Sequence, residues 1–297
     1  MGLPKEEFYV SGARNCAGCG FPTIIRIVTK AAGKNTIIVN ATGCMEVVST
    51  PYPQTAWKLP WVHAAFENAA AVASGVEAAL KKLKKDANVI VFGGDGGTYD
   101  IGFQALSGMM ERGHNVLYIC YDNEAYENTG IQRSSSTPKF SWTTTTPIGK
   151  KIRGKRRWKK PITEIMAAHG SPFVATASPH LHMDLFNKVK KALSIKGPKF
   201  MKVLSPCVIG WKIPSNKTIE VEELAVESGV FPIYEIVNGK LTINYKPKKL
   251  RPVKEYLMMQ GRFKHLNEKE IRSIQERVNK YWDYLLNLEK LDNAFFV

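Results

Sequence analysis

Cys16-Ala17-Gly18-Cys19 puts two thiols two residues apart, a spacing that lets both sulfurs meet one ion or cluster. Cys44 follows in Ala41-Thr42-Gly43-Cys44, and Cys207 in Pro206-Cys207. Four soft thiolates suit structural zinc or an iron–sulfur cluster, and spacing does not separate the two. A compact zinc knuckle brings its halves closer in sequence than Cys19, Cys44 and Cys207 are. Gly18, Gly20 and Gly43 offer backbone N–H groups without side-chain bulk, which can solvate cluster sulfurs. The pattern therefore favours iron and sulfide. Cys120, inside an apolar run, reads as a small buried residue.

A second constellation suits a diphosphate and magnesium. The run Val89 to Phe92 ends in Gly93-Gly94-Asp95-Gly96-Gly97, with a helix expected from Ile101. Gly94 and Gly96 let the backbone approach phosphate, and a helix N-terminus favours anions. Asp95 tolerates phosphate only through a cation, which argues for magnesium bridging the two. The partner ligand is expected at the end of the next strand, in Asp122-Asn123-Glu124-Ala125, 28 positions after Asp95 at Asn123. The Asn123 amide oxygen and the Ala125 carbonyl would join Asp95, two diphosphate oxygens and a water in an octahedral shell. The plainer alternative is a Gly-rich turn with Asp95 capping the helix.

These residues need a scaffold that collects strand ends. Short apolar runs at Thr36 to Val39, Val89 to Phe92, Val116 to Tyr121, Phe173 to Thr176 and Phe200 to Leu204 read as buried parallel strands. Helices are predicted at Pro22 to Ala32, Ala64 to Lys85, Ile101 to Arg112, Ile162 to His169 and Leu181 to Leu193. Gly33, Gly113, Gly170 and Gly197 fall just past four of them, where positive φ ends a helix. The alternation predicts an α/β fold, a doubly wound and mostly parallel sheet, over residues 1–228. Beyond it, Tyr234 to Val237, Asn238-Gly239 and Leu241 to Tyr245 spell a hairpin, and Glu268 to Leu291 an amphipathic helix. Residues 229–297 are thus expected to be a C-terminal hairpin-plus-helix extension, packed on the main domain or on a partner subunit.

The 297 residues carry 42 Lys+Arg and 26 Asp+Glu, a net charge of +16 that favours polyanionic partners. No apolar stretch is long enough for a membrane span, and the first fifteen residues lack an export signal. With an odd cysteine count, this predicts reduced thiols and a cytoplasmic protein. Eight cations crowd residues 150–160, from Lys150 to Lys160. They read as a solvated loop, or as a surface for an acidic protein or for the phosphates of a cofactor; only Trp158 interrupts them as a stacking aromatic, so nucleic acid is the weakest option. The six histidines show no metal-ligand spacing.

Gly-Asp-Gly with Asn about 28 positions on resembles the diphosphate-binding half of thiamine diphosphate enzymes. Together with Cys-Ala-Gly-Cys-Gly, Asn-Ala-Thr-Gly-Cys, Cys44 to Val48, Phe66-Glu67-Asn68, Tyr-Glu-Asn-Thr-Gly, Gln132 to Pro138 and the late Cys207, the chain resembles the β subunits of the pyruvate:ferredoxin oxidoreductases, or pyruvate synthases, within the 2-oxoacid:ferredoxin oxidoreductases. The resemblance covers residues 12 to about 212. It implies a 4Fe-4S cluster on Cys16, Cys19, Cys44 and Cys207, magnesium on Asp95, Asn123 and the Ala125 carbonyl, and Asn128 facing the reacting carbon. Val47 would lie under the bent thiamine diphosphate, with Phe66 nearby. Phe21 departs from versions of the family that carry an acidic residue there.

The resemblance further implies oxidative decarboxylation of pyruvate, one-electron transfer through the cluster to ferredoxin, and acyl transfer to coenzyme A, with the reverse reaction fixing CO2. The scaffold also serves 2-oxoisovalerate, 2-oxoglutarate, indolepyruvate and oxalate. Glu67 is a stand-in for the glutamate that activates the cofactor, but the family supplies that group and the substrate's arginine from an α subunit, beside γ and δ subunits. This chain alone is therefore expected to be inactive. The rival from another class is a zinc-stabilised, basic nucleic-acid-binding module.

Overall fold

The computed structural model describes residues 2–295. Its core is an eight-stranded sheet. Strands β1 (Thr36–Ala41), β2 (Trp61–Ala64), β3 (Asn88–Gly94), β4 (Leu117–Asp122), β5 (Phe173–Ala177) and β6 (Lys199–Leu204) run parallel in the order β2-β1-β3-β4-β6-β5. The antiparallel pair β7 (Ile233–Val237) and β8 (Lys240–Tyr245) continues the same sheet beyond β5. Its turn places Asn238 and Gly239 at φ 47° and 80°, the left-handed pair that a two-residue hairpin requires.

Parallel strands force crossovers, and amphipathic helices supply them. On one face α1 (Phe21–Ala32) packs beside α6 (His182–Ser194) over Ile38, Ile90, Ile119 and Met201. On the other face α3 (Ala69–Leu83), α4 (Phe103–Glu111) and α5 (Ile162–Ala168) cover Val39, Val91, Tyr118 and Phe200. The doubly wound expectation holds. The final helix α9 (Glu268–Glu289) opens with a reciprocal cap between Asn267 and Glu270 and lays Leu285 against β8.

Two expected helices differ, and three short ones were not expected. The helix expected from Ala64 starts at Ala69, because Trp61–Ala64 pairs with β1 as the edge strand β2. The helix expected from Ile101 is preceded by a π-wound turn, Gly96–Ile101, so helical backbone begins directly after Asp95. Short helices α2 (Cys44–Ser49), α7 (Thr218–Glu227) and α8 (Val253–Met258) escaped the periodicity reading. The six-residue α2 and α8 each span under two turns, too few for a stripe to repeat.

Candidate active site

Because β1, β3, β4 and β6 are parallel neighbours, their carboxyl ends share one edge of the sheet. Just past those ends come Cys44, Asp95, Asn123 and Cys207 respectively. Residues spread over more than half of the chain thus meet at the crevice where doubly wound sheets bind ligands.

A cavity of about 140 Å3 opens there, lined among others by Cys44, Phe66, Gly94, Asp95, Gly96, Asn123, Ala125 and Asn128. The Asn123 side-chain oxygen stands 2.6 Å from Asp95 Oδ1 and 2.9 Å from the Ala125 carbonyl oxygen. Turned over, the amide would donate to both; as an oxygen, it completes a corner of three acceptors. Adjacent oxygens of an octahedral magnesium at 2.0–2.1 Å lie about 2.9 Å apart, so the corner fits a hard cation. Burial, and then the charge of Asp122, push the Asp95 carboxyl well above its usual range. A divalent ion would relieve that crowding of negative charge.

The segment Ser134 to Thr137 pins this corner, a role invisible in the sequence. Ser134 Oγ donates to Asp95 Oδ2 at 2.5 Å, Ser136 Oγ to Asp122 Oδ1 at 2.6 Å, and Thr137 Oγ1 to the Glu124 carbonyl at 2.6 Å. Trp211 Nε1 donates to the Asn123 carbonyl at 2.7 Å. Glu124 adopts φ 68° and is wholly buried, held by Lys159 and Arg262. Burial opposes its ionisation, yet those two cations keep its carboxyl below the usual range. The glycines serve packing as well as approach: a Cβ on Gly96 would collide with the Tyr126 ring.

The four thiols form a group beside the cavity, with Cys44 common to both. Burial pushes Cys19 and Cys44 each to about 12, and the charges of neighbouring cysteines add to both shifts. Burial also raises Cys207, whose sulfur accepts the Gly210 N–H at 3.4 Å. Among the described residues, no three His, Cys, Asp or Glu side chains group as they would around a single metal ion. One zinc gathers four ligand atoms about 2.0–2.3 Å from a point, whereas a cluster of several atoms holds its thiolates farther apart. By donor type, four thiolates suit a 4Fe-4S cluster.

Glu127 lies between thiols and cavity. Among the described residues no nitrogen or hydroxyl donates to its oxygens; burial raises it to about 7, and the adjacent Arg262 charge and Cys207 thiol offset part of that rise. Gly210 leaves room for it, since a Cβ there would collide with the carboxylate. The sequence displays Glu127 inside Tyr-Glu-Asn-Thr-Gly but not its burial. Val47 stands 47% exposed on α2 and does not line this cavity. Glu67 is exposed and also outside the wall. Phe21 is buried against Tyr121, 6.0 Å between ring centroids.

The Cys16–Cys19 loop is braced by α7. Thr218 Oγ1 donates to the Gly18 carbonyl at 2.5 Å, and a Cβ on Gly18 would collide with the Ser215 carbonyl oxygen. One turn on, Glu222 accepts the His180 N–H at 2.8 Å, keeps its other oxygen unpartnered, and is raised by burial to about 8 from 4.5. The folded state therefore holds the proton more tightly, and this stabilisation is complete below about pH 4.5 and lost as pH rises through about 8. Glu222→Gln, which cannot ionise, will flatten that dependence: thermal midpoints should agree near pH 5 and favour the variant near pH 9. Parallel curves for the two proteins would refute the assignment.

The basic segment is not simply a solvated loop. Lys155 is buried and donates to the Ser135 and Thr137 carbonyls, Lys159 reaches Asp122 and Glu124, Lys160 donates to the Tyr99 carbonyl, and Arg153 pairs with Glu270 at 2.9 Å. Lys151, Arg156 and Arg157 instead face a cleft of about 950 Å3, joined by Arg133. Half of the cations thus belong to the architecture.

Residues 41–203 match the thiamine pyrophosphate enzyme, C-terminal TPP-binding domain. The pyruvate synthase subunit PorB of Methanocaldococcus jannaschii is 60% identical over 95% of this chain and 96% of that protein. Its counterpart from Thermotoga maritima is 49% identical over 97% and 94%. The ketoisovalerate oxidoreductase subunit VorB of Pyrococcus abyssi is 47% identical over 97% and 96%. In fold, the chain is similar to a 2-oxoglutarate:ferredoxin oxidoreductase from Magnetococcus marinus, solved with 2-oxoglutarate, coenzyme A and succinyl-CoA bound, at TM-score 0.62 and 19% identity over 92% of this chain and 97% of that one.

Proposed function

The chain belongs to the β subunits of the pyruvate:ferredoxin oxidoreductases, in the 2-oxoacid:ferredoxin oxidoreductase family, and on that premise we propose that it carries the diphosphate, magnesium and 4Fe-4S half of an enzyme acting on pyruvate. The observation that carries this reading is the corner of three oxygens from Asp95, Asn123 and Ala125, set in one cavity wall with Cys44. Thiamine diphosphate, when bound, supplies the electron sink for decarboxylating a 2-oxoacid, and an iron–sulfur cluster accepts electrons singly. The chain's own residues do the positioning. Asp95, Asn123 and the Ala125 carbonyl would hold the magnesium, Ser134 orients Asp95, and the N–H groups at the start of the π-wound turn from Gly96 would be available to the diphosphate.

Cys16, Cys19, Cys44 and Cys207 would hold the cluster, and the charge effects that these thiols exert on one another support their lying together. The zinc-bearing rival needed a free basic surface, which Lys155, Lys159 and Lys160 do not provide. Asn128 lines the cavity wall, where it would face the reacting carbon, and Phe66 packs edge-on against Tyr126 at its rim. Val47 would meet the cofactor only from a cofactor portion extending outside this cavity. Coenzyme A phosphates suit the cleft of Arg133, Lys151, Arg156 and Arg157. The exposure of Glu67 supports an α subunit as source of the activating glutamate, with γ and δ subunits and ferredoxin completing the reversible reaction. Among the described residues no helix is long and apolar enough to cross a membrane; a cytoplasmic location fits that.

The ketoisovalerate relative favours a second reading, in which the same site serves 2-oxoisovalerate. Competition assays on the assembled enzyme decide it by comparing kcat/KM for the two acids. Metal analysis tests the site itself: the anaerobically purified chain should contain about four irons with matching sulfide, and Cys44→Ser should lose most of both. One zinc and no sulfide would overturn the proposal.

A further inference from the structure

A second cavity, about 170 Å3, shares no lining residue with the first. It lies where β6 meets α9 and the segment before β7, walled by Phe231, Tyr256, Leu257, Phe263, Ile274 and Val278. Into this apolar chamber projects Lys202, from the central strand β6. Among the described residues Lys202 makes no hydrogen bond or ion pair; its ammonium lies over the Phe231 ring, 4.8 Å from the centroid. Burial depresses its pKa, with Lys159 adding to the effect.

Two more cations border the chamber with only ring faces as partners. Lys139 lies 4.6 Å from the centroid of Trp158 and Arg277 lies 5.8 Å from it, while Trp158 itself is 36% exposed at the mouth. The opposing charge in the wall is Glu164, already accepting the Tyr281 hydroxyl. Lys159 and Lys160, also in the wall, are committed to Glu124 and to the Tyr99 carbonyl. The chamber thus combines apolar walls with cations that lack anionic partners. A desolvated ammonium without a counter-charge is costly, and an anion delivered with an apolar body compensates it while filling the space.

We propose that this cavity binds a small organic monoanion, a carboxylate on a compact aromatic or aliphatic skeleton, whose charge meets Lys202 and whose body replaces water against Phe231 and Val278. A monoanion is favoured because one inner cation, Lys202, faces the chamber from the sheet, with Arg277 exposed at its border. The cavity is smaller than the roughly 300–1,000 Å3 of drug-sized sites, which limits the ligand to about ten non-hydrogen atoms.

The test is calorimetric titration of the assembled enzyme with 3-phenylpropanoate and with its neutral amide. The acid should bind, with the amide about ten-fold weaker or more, and Lys202→Met should weaken the acid about ten-fold without altering turnover of the 2-oxoacid. Lys202→Met removes a desolvated charge and keeps the aliphatic stem, so it should fold; the paired Lys139→Gln and Arg277→Gln change, on the rim, provides a second variant with weakened acid binding. Equal binding of acid and amide, or undiminished acid binding in the Lys202 variant, would overturn the proposal. So would absence of binding by the acid up to about 10 mM, since the chamber is then closed in the assembly.

Discussion

Asp95→Asn will lower turnover of the assembled enzyme by about a hundred- to a thousand-fold, the range in which removal of one preorganised electrostatic group at a reacting centre falls. The substitution keeps the shape of the side chain and its position at the end of β3, so its effect isolates the carboxylate. It should also raise the thermal midpoint in metal-free buffer. Asp95 is buried beside Asp122, is raised well above the usual carboxylate range, and has the Ser134 hydroxyl as its hydrogen-bond donor. An amide does away with that repulsion. The wild-type enzyme should then gain stability on addition of magnesium and thiamine diphosphate, and the variant should gain little. A residue that merely capped the following turn would show the reverse pattern, losing stability on substitution and responding normally to the cofactor. Finding that reverse pattern would remove magnesium from the interpretation.

Why the strand ends were legible and their supports were not depends on where the information for each resides. The runs before Asp95 and Asn123 are apolar on both faces, and a buried parallel strand has few other ways to look. Glycines at Gly33, Gly113, Gly170 and Gly197 all take positive φ, so helix ends could be read from single residues. Asp95 and Asn123 were legible because their chemistry needs a strand end and a fixed spacing. By contrast, Glu124, Arg262 and Ser134 contribute through contacts across the chain: Glu124 and Arg262 are 138 residues apart, and Ser134 and Asp95 are 39 apart. No local pattern encodes such a pair. Val47 is placed on the exposed side of the short helix α2, and only the resemblance assigned it a contact with the cofactor. The basic run misled for a similar reason. Charge density is visible in sequence, but the direction of a lysine is set by the carboxylates and carbonyls packed around it, as Lys159 shows between Asp122 and Glu124.

Arg262→Met will destabilise the chain by about 3 kcal/mol, the low end for breaking a buried ion pair, because Lys159 remains beside Glu124. Side-chain exposures of 2% for Arg262 and 1% for Glu124 put the pair in that class. The guanidinium also stacks over Trp211, 3.9 Å from the centroid, and donates to Gln260 Oε1 at 2.9 Å. Methionine retains much of that packing, so the loss reports on charge. The effect should spread to the cavity, because Glu124 holds φ 68° between Asn123 and Ala125, and Trp211 fixes the Asn123 carbonyl. A residue kept in that left-handed region persists only where its surroundings enforce it. Magnesium affinity of the assembled enzyme should therefore fall together with the thermal midpoint. Adding Glu124→Gln to Arg262→Met should recover part of the stability, since the carboxylate left with Lys159 alone is removed, but not the affinity, since the loop remains loosened. Additive losses in the double variant would show that the two side chains act independently, and the account of how this loop is held would then fail.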